Sequence, residues 1–120
     1  MREILFRGKR KDNGEWVYGS GINQGADIID YEKWAFVYDD IIRHEVIPET
    51  VGEYTGLCDK NGTKVFEGDI VRFSTAHARE IKYIDGCFGF EGSSIPIKYV
   101  NKFEVIGNVT DNPEFLGQGE

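Results

Sequence analysis

The sequence predicts a mainly β protein, β-rich α+β at most, built as a small antiparallel, barrel-like domain of hairpins. Three observations predict it. The apolar runs are only a few residues long, and several alternate with period two as half-buried strands do. Fifteen glycines against three prolines place many turns between those runs. Eight Phe, six Tyr and two Trp are spread along the chain, so core-forming side chains reach most segments and no long disordered tract is expected. A length of 120 residues with 40% hydrophobic content reads as one domain, residues 1–120.

Taken in order, Glu3 to Phe6 alternates polar and apolar and reads as a first strand. Asp12-Asn13-Gly14 is a positive-φ turn signal, and Glu15 to Gly19 is the returning strand. Lys9, Arg10 and Lys11 then sit at the hairpin tip, as a solvated loop or as a contact for an acidic partner or phosphate. Ser20 to Gly25 reads as a loop; Asp27 to Tyr31 and Lys33 to Tyr38 read as the next strands. Trp34, Phe36 and Tyr38 share one face by period two, a face that is core more often than surface. If exposed, Trp34 and Tyr38 belong to a recognition surface. Asp39-Asp40 marks a turn, and Ile41 to Ile47 reads as a strand closed by Pro48.

The densest stretch is Tyr54 to Phe73, which packs two glycine turns among three β-like runs. Asn61 and Gly62 tolerate positive φ in a tight hairpin turn. Gly68 suits a sharp turn, and Asp69 suits accepting a hydrogen bond from nearby backbone N–H groups. A Gly-Asp step into an apolar strand is a feature of SH3-like barrels, which supplies an analogy for fold alone. Ser74 to Ala78 reads as a loop. Arg79 to Ile84 and Cys87 to Glu91 form a hairpin across the Asp85-Gly86 turn. Pro96 makes 95–100 an edge strand or a turn of helix. Phe103 to Val109 is a last strand. Asn112-Pro113-Glu114 carries helix-start chemistry for a short C-terminal helical turn.

The net charge of −7 is unevenly placed. Residues 1–11 hold five Lys/Arg against one acid, whereas the other 109 residues hold nine bases and twenty acids. So acidic a body repels a phosphate backbone, which makes nucleic acid an unfavoured partner. No apolar run is long enough to span a membrane, and residues 1–20 lack the apolar core of an export signal. A cytoplasmic setting is therefore expected, with Cys58 and Cys87 reduced and packed.

Three blocks resemble the YopX family of phage and prophage proteins. They are Met1-Arg2-Glu3-Ile4-Leu5-Phe6-Arg7; the run from Val51-Gly52-Glu53-Tyr54-Thr55-Gly56-Leu57 through Asp59-Lys60-Asn61-Gly62 to Phe66-Glu67-Gly68-Asp69-Ile70-Val71; and Val105-Ile106-Gly107-Asn108-Val109 through Asn112-Pro113-Glu114. Cys58 departs from the polar residue expected there. The resemblance implies a protein of a phage or integrated element acting in bacterial cytoplasm, and brings no catalytic residues.

The residues themselves name no chemistry. Asp59-Lys60-Asn61-Gly62 lacks the ligand spacing of a calcium loop. His44, His77, Cys58 and Cys87 lack zinc-ligand spacing. Ser74, Thr75 and His77 lie close together without a nucleophile motif. The expectation is therefore no enzyme, no cofactor and no metal. The leading reading is a non-catalytic protein-interaction or self-assembling module that binds a host or phage protein or a second copy of itself. The alternatives are a nucleic-acid-binding accessory protein using the basic N-terminal stretch, and a DNA-mimic inhibitor using its acids.

Overall fold

The computed structural model describes residues 3–27, 29–39, 42–74 and 76–117. Expectations resting on Met1, Arg2, Ile28, Asp40, Ile41, Thr75 and 118–120 lie outside the described residues. Strands hold 49% and helical turns 13% of the structure, which makes mainly β the observed class. The strands form three antiparallel sheets, with no closed barrel among the described residues. The chain divides into two compact units, Met1–Glu53 and Tyr54–Glu120.

In the first unit, β1 (Phe6–Lys9) pairs with β2 (Trp16–Gly19) in the register Phe6↔Gly19 to Lys9↔Trp16. The first strand thus begins later than Glu3, and Lys9 ends it instead of sitting in the turn. β3 (Gly21–Ala26), β4 (Lys33–Tyr38) and β5 (Arg43–Val46) form a three-stranded sheet with β4 in the middle. Two expectations are corrected here. The polar stretch expected as a loop is β3, and the described residues of the expected strand at 27–31, Asp27 and 29–31, belong to the turn after it. That turn is closed by Asp27 N–H to the Glu32 carbonyl and Tyr31 N–H to the Asp27 carbonyl. The reason lies in β4, whose large rings cover the glycines of β3 and give that strand the packing its own side chains lack.

Alternation along β4 puts Ala35 and Val37 in the core with Val46 of β5, while Val17 and Val51 pack against them. A 3-10 turn at Pro48–Thr50 follows, pinned where Thr50 Oγ1 accepts from Lys9 N–H at 2.9 Å. β6 (Gly52–Cys58) starts in this unit, with Glu53 and Gly52 opposite Phe6 and Arg7.

In the second unit, β6 continues against β7 (Lys64–Phe66). The remaining strands, β8 (Asp69–Arg72), β9 (Arg79–Ile84), β10 (Cys87–Phe90) and β11 (Glu104–Asn108), form a sheet of order β10-β9-β8-β11. A second core gathers Val65, Val71, Ile81, Phe90, Val100 and Phe103. Phe90 and Phe103 stack at 4.6 Å. The Asp85-Gly86 turn has φ of 51° and 88°, the paired left-handed geometry of a two-residue hairpin turn. Around Pro96 the helical alternative holds, a 3-10 turn over Ile97–Lys102. The C-terminal helical turn is 3-10 as well, Pro113–Gly117.

Candidate functional site

The turn residues singled out in the sequence lie in or beside backbone turns. At Asn61-Gly62 only Gly62 takes positive φ, 82°. The paired left-handed turn is replaced by a loop wound around the Asp59 carboxylate. Asp59 Oδ1 accepts from Asn61 N–H and Thr63 N–H, each at 2.9 Å, and Oδ2 accepts from Val105 N–H at 2.9 Å. Burial alone would raise this carboxyl; the three N–H donors outweigh it and hold the group below the ordinary aspartate range. Gly68 takes φ 91°, and the buried Asp69 accepts from Phe66 N–H at 2.8 Å.

The basic stretch is partly neutralised. Arg10 meets Asp12 through two N–H···O contacts of 2.9 and 2.7 Å, and Lys11 lies 3.7 Å from Glu45. Arg10 Nη1 also reaches His44 Nδ1 at 3.1 Å, while His44 Nε2 contacts Asp39 at 2.9 Å. Guanidinium cannot accept, so Nδ1 accepts and the Nε2 proton goes to Asp39. Both ring nitrogens of this buried histidine are thereby engaged, which leaves it no lone pair for a metal. Cys58 is half-buried and Cys87 exposed; both are free, and Cys87 is not packed as expected, because it starts β10 beside the exposed turn. Ser74 and His77 are exposed and share no hydrogen bond among the described residues, and Thr75 lies outside them.

The aromatic stripe of β4 is not core. Trp34, Phe36 and Tyr38 occupy the face opposite Ala35 and Val37 and are half-buried. Opposite them in register stand Gly25, Asn23 and Gly21 of β3, with Glu45 and Arg43 of β5 beside Phe36 and Tyr38. Trp34 and Phe36 contact each other at 5.9 Å, and the Arg43 guanidinium lies 4.5 Å above the Phe36 ring. A concavity of about 340 Å³ opens beside Trp34, walled by Gly25, Lys33, Pro48 and Glu49.

Next to this face the β3–β4 tip leaves Ile29 92% and Tyr31 78% exposed. Tyr31 has φ 59°, a left-handed conformation that a bulky residue adopts at a cost. Asp27, Asp30 and Glu32 bring carboxylate oxygens within 4.8 Å of one another at the same tip. Asp30 already accepts from Glu32 N–H at 3.0 Å, and such exposed acids are ordinary hairpin-tip residues.

A second concavity went unnoticed in the sequence. It lies in the second unit, has a volume of about 330 Å³, and is walled by Phe73, Phe90, Phe103 and Tyr99 with Arg79 and Lys102 among its lining. These residues come from four separate segments, so no local motif could have announced them.

The family model described as YopX protein matches residues 5–117. The crystal structure of protein EF1440 from Enterococcus faecalis is similar in fold, with a TM-score of 0.61 at 24% identity over 97% of this chain and 99% of that one. No curated protein matches the chain. A family match over nearly the whole length carries more than local blocks would, and by it the chain belongs to the YopX family.

Proposed function

We propose that the protein is a non-catalytic interaction module of a phage or prophage element that works in the bacterial cytoplasm by pairing with a second copy of itself through β3. The observation that carries this reading is the chemistry of that strand. β3 is the edge of its sheet and runs Gly21-Ile22-Asn23-Gln24-Gly25-Ala26, six residues without a charge or a proline. Soluble proteins ordinarily protect an edge with lysine, proline or a bulge, because unpaired N–H and C=O groups recruit another strand. In a chain that is 29% charged, six uncharged edge residues in a row stand out. The exposed Ile29 and Tyr31 in the turn that follows β3 add apolar surface. An antiparallel β3–β3 pairing is self-complementary, as a two-fold interface requires.

The nucleic-acid reading loses support where Arg10 and Lys11 already face carboxylates. An enzymatic reading has no support from His44, whose ring is fully engaged.

Sedimentation equilibrium from micromolar to several hundred micromolar tests the proposal. The expected result is a dimer that the double substitution Asn23→Lys and Gln24→Lys converts to a monomer with unchanged circular dichroism. A monomer at every concentration would overturn self-pairing. A dimer that survives the two lysines would overturn its placement on β3.

A further inference from the structure

We propose that the aromatic concavity of the second unit binds a small planar carboxylate, a one- or two-ring aromatic acid. The walls come first. Phe90 and Phe103 are core residues stacked on each other, and Phe73 leans on Phe103 at 5.6 Å. Phe73 and Tyr99 nevertheless stay 49% and 42% exposed at the mouth. A cavity of about 330 Å³ lies within the range of small-molecule sites, and rings on its walls favour a flat aromatic guest through offset and edge contacts.

The charges at the rim select the guest further. The cations Arg79 and Lys102 line the concavity beside His77, and among the described residues no carboxylate does. Among the described residues neither Arg79 nor Lys102 forms an ion pair, although the chain carries a net charge of −7. Arg79 is held in place by backbone carbonyls, with Nη1 donating to Gly92 O at 3.1 Å and reaching Glu91 O at 3.5 Å. Those bonds orient the guanidinium and leave its charge uncompensated. An acidic protein that keeps unpaired cations around an apolar cup offers complementarity to an anion with an apolar body. Ser93 and Tyr99 bring the hydroxyl groups of the lining, and no amide side chain is among its described residues. The several donors and acceptors on the edge of a nucleobase would outnumber these partners, which disfavours a nucleotide and favours a simple carboxylate.

The test is a titration of the full chain followed by ¹H–¹⁵N spectra, with indole-3-acetate as probe. Saturable shifts are expected at Phe73, Arg79, Tyr99 and Lys102, with indole-3-acetamide binding about tenfold more weakly for want of the charge. Lys102→Gln, an exposed change that leaves the Arg79 bonds intact, is expected to weaken the acid and spare the amide. Arg79→Gln should do the same while spectral dispersion is kept. Equal binding of acid and amide, shifts elsewhere on the protein, or no binding would overturn the proposal. Binding of octanoate or adenosine monophosphate as tight as that of indole-3-acetate would overturn the ligand class.

Discussion

The carboxylate of Asp59 accepts a hydrogen bond from the backbone N–H of Val105, 46 residues further along the chain, at 2.9 Å. Lys60 N–H donates to the Phe103 carbonyl beside it. The loop that follows β6 is thus fastened to the start of β11. Two of the sequence blocks that resemble the family are joined here, and the joint gives a physical reason for the Asp-Lys-Asn-Gly motif. The aspartate satisfies three N–H donors that a tight loop and a strand end would otherwise leave unpaired.

Replacing Asp59 by Asn keeps an oxygen for Asn61 and Thr63 but turns an NH₂ group toward the Val105 N–H. Two donors then face each other at a buried position. The expected loss is about 1–3 kcal/mol of unfolding free energy, read from urea denaturation at neutral pH. A change below the error of the urea fit would mean that the Val105 contact contributes nothing.

The same group sets an acid limb. Its folded carboxyl ionises below the ordinary value of about 3.9, so its stabilisation is fully present above that value. The contribution is lost as pH falls through the lower, folded value. Asp59→Asn is expected to flatten this part of the stability–pH curve while leaving the shape above about pH 5 unchanged. Parallel curves for the two proteins down to full acid unfolding would contradict the assignment.

The places where sequence reading failed concern side chains supplied by a neighbour. Ser20 to Gly25 lacks strand character because the mass over Gly25 and Gly21 is contributed by β4. A Cβ on Gly25 would lie 2.8 Å from Trp34 Cζ2, and one on Gly21 would lie 3.3 Å from Tyr38 Cβ. Conversely, 27–31 has strand composition, yet Ile29 and Tyr31 are spent on a turn that leaves them exposed. The Asp85-Gly86 hairpin, Gly68 and Asp69 were legible because their conformations are decided within a few residues. The β4 face was not, since period two shows that Trp34, Phe36 and Tyr38 share a side without showing which side is buried. The aromatic concavity assembles from distant segments, and only the fold brings Phe73, Phe90 and Phe103 together.

Close approach makes the β3–β4 glycines testable. Gly25→Ala pushes against one ring of a half-buried face, and the ring can move; a cost of about 1 kcal/mol with altered Trp34 fluorescence in a Trp16→Phe background is expected. Gly19→Ala is worse, because its Cβ would fall onto the Tyr38 carbonyl oxygen. Backbone cannot yield as a side chain does, so about 3 kcal/mol is expected and the first unit loses its near-ultraviolet signal well before the parent does. Equal costs for the two substitutions would refute the distinction between ring and backbone neighbours.

Glu80 on β9 has the opposite sign to Asp59. Burial raises its carboxyl; Lys82, 4.0 Å away, pulls it down, and Glu91 pushes it up again, with a net rise. A group that ionises at higher pH in the folded than in the unfolded chain disfavours folding once both forms are ionised. The penalty is complete at neutral pH and fades as pH falls through the raised value. It is gone below about pH 4, where the unfolded carboxyl is protonated as well. Glu80→Gln is therefore expected to stabilise the protein at pH 7, by no more than about 0.5 kcal/mol because the site is partly exposed and the Lys82 contact is lost with the charge. The gain should shrink toward zero in acid. A variant less stable than the parent at pH 7, or a gain that grows as pH falls, would show that the Lys82 attraction outweighs burial.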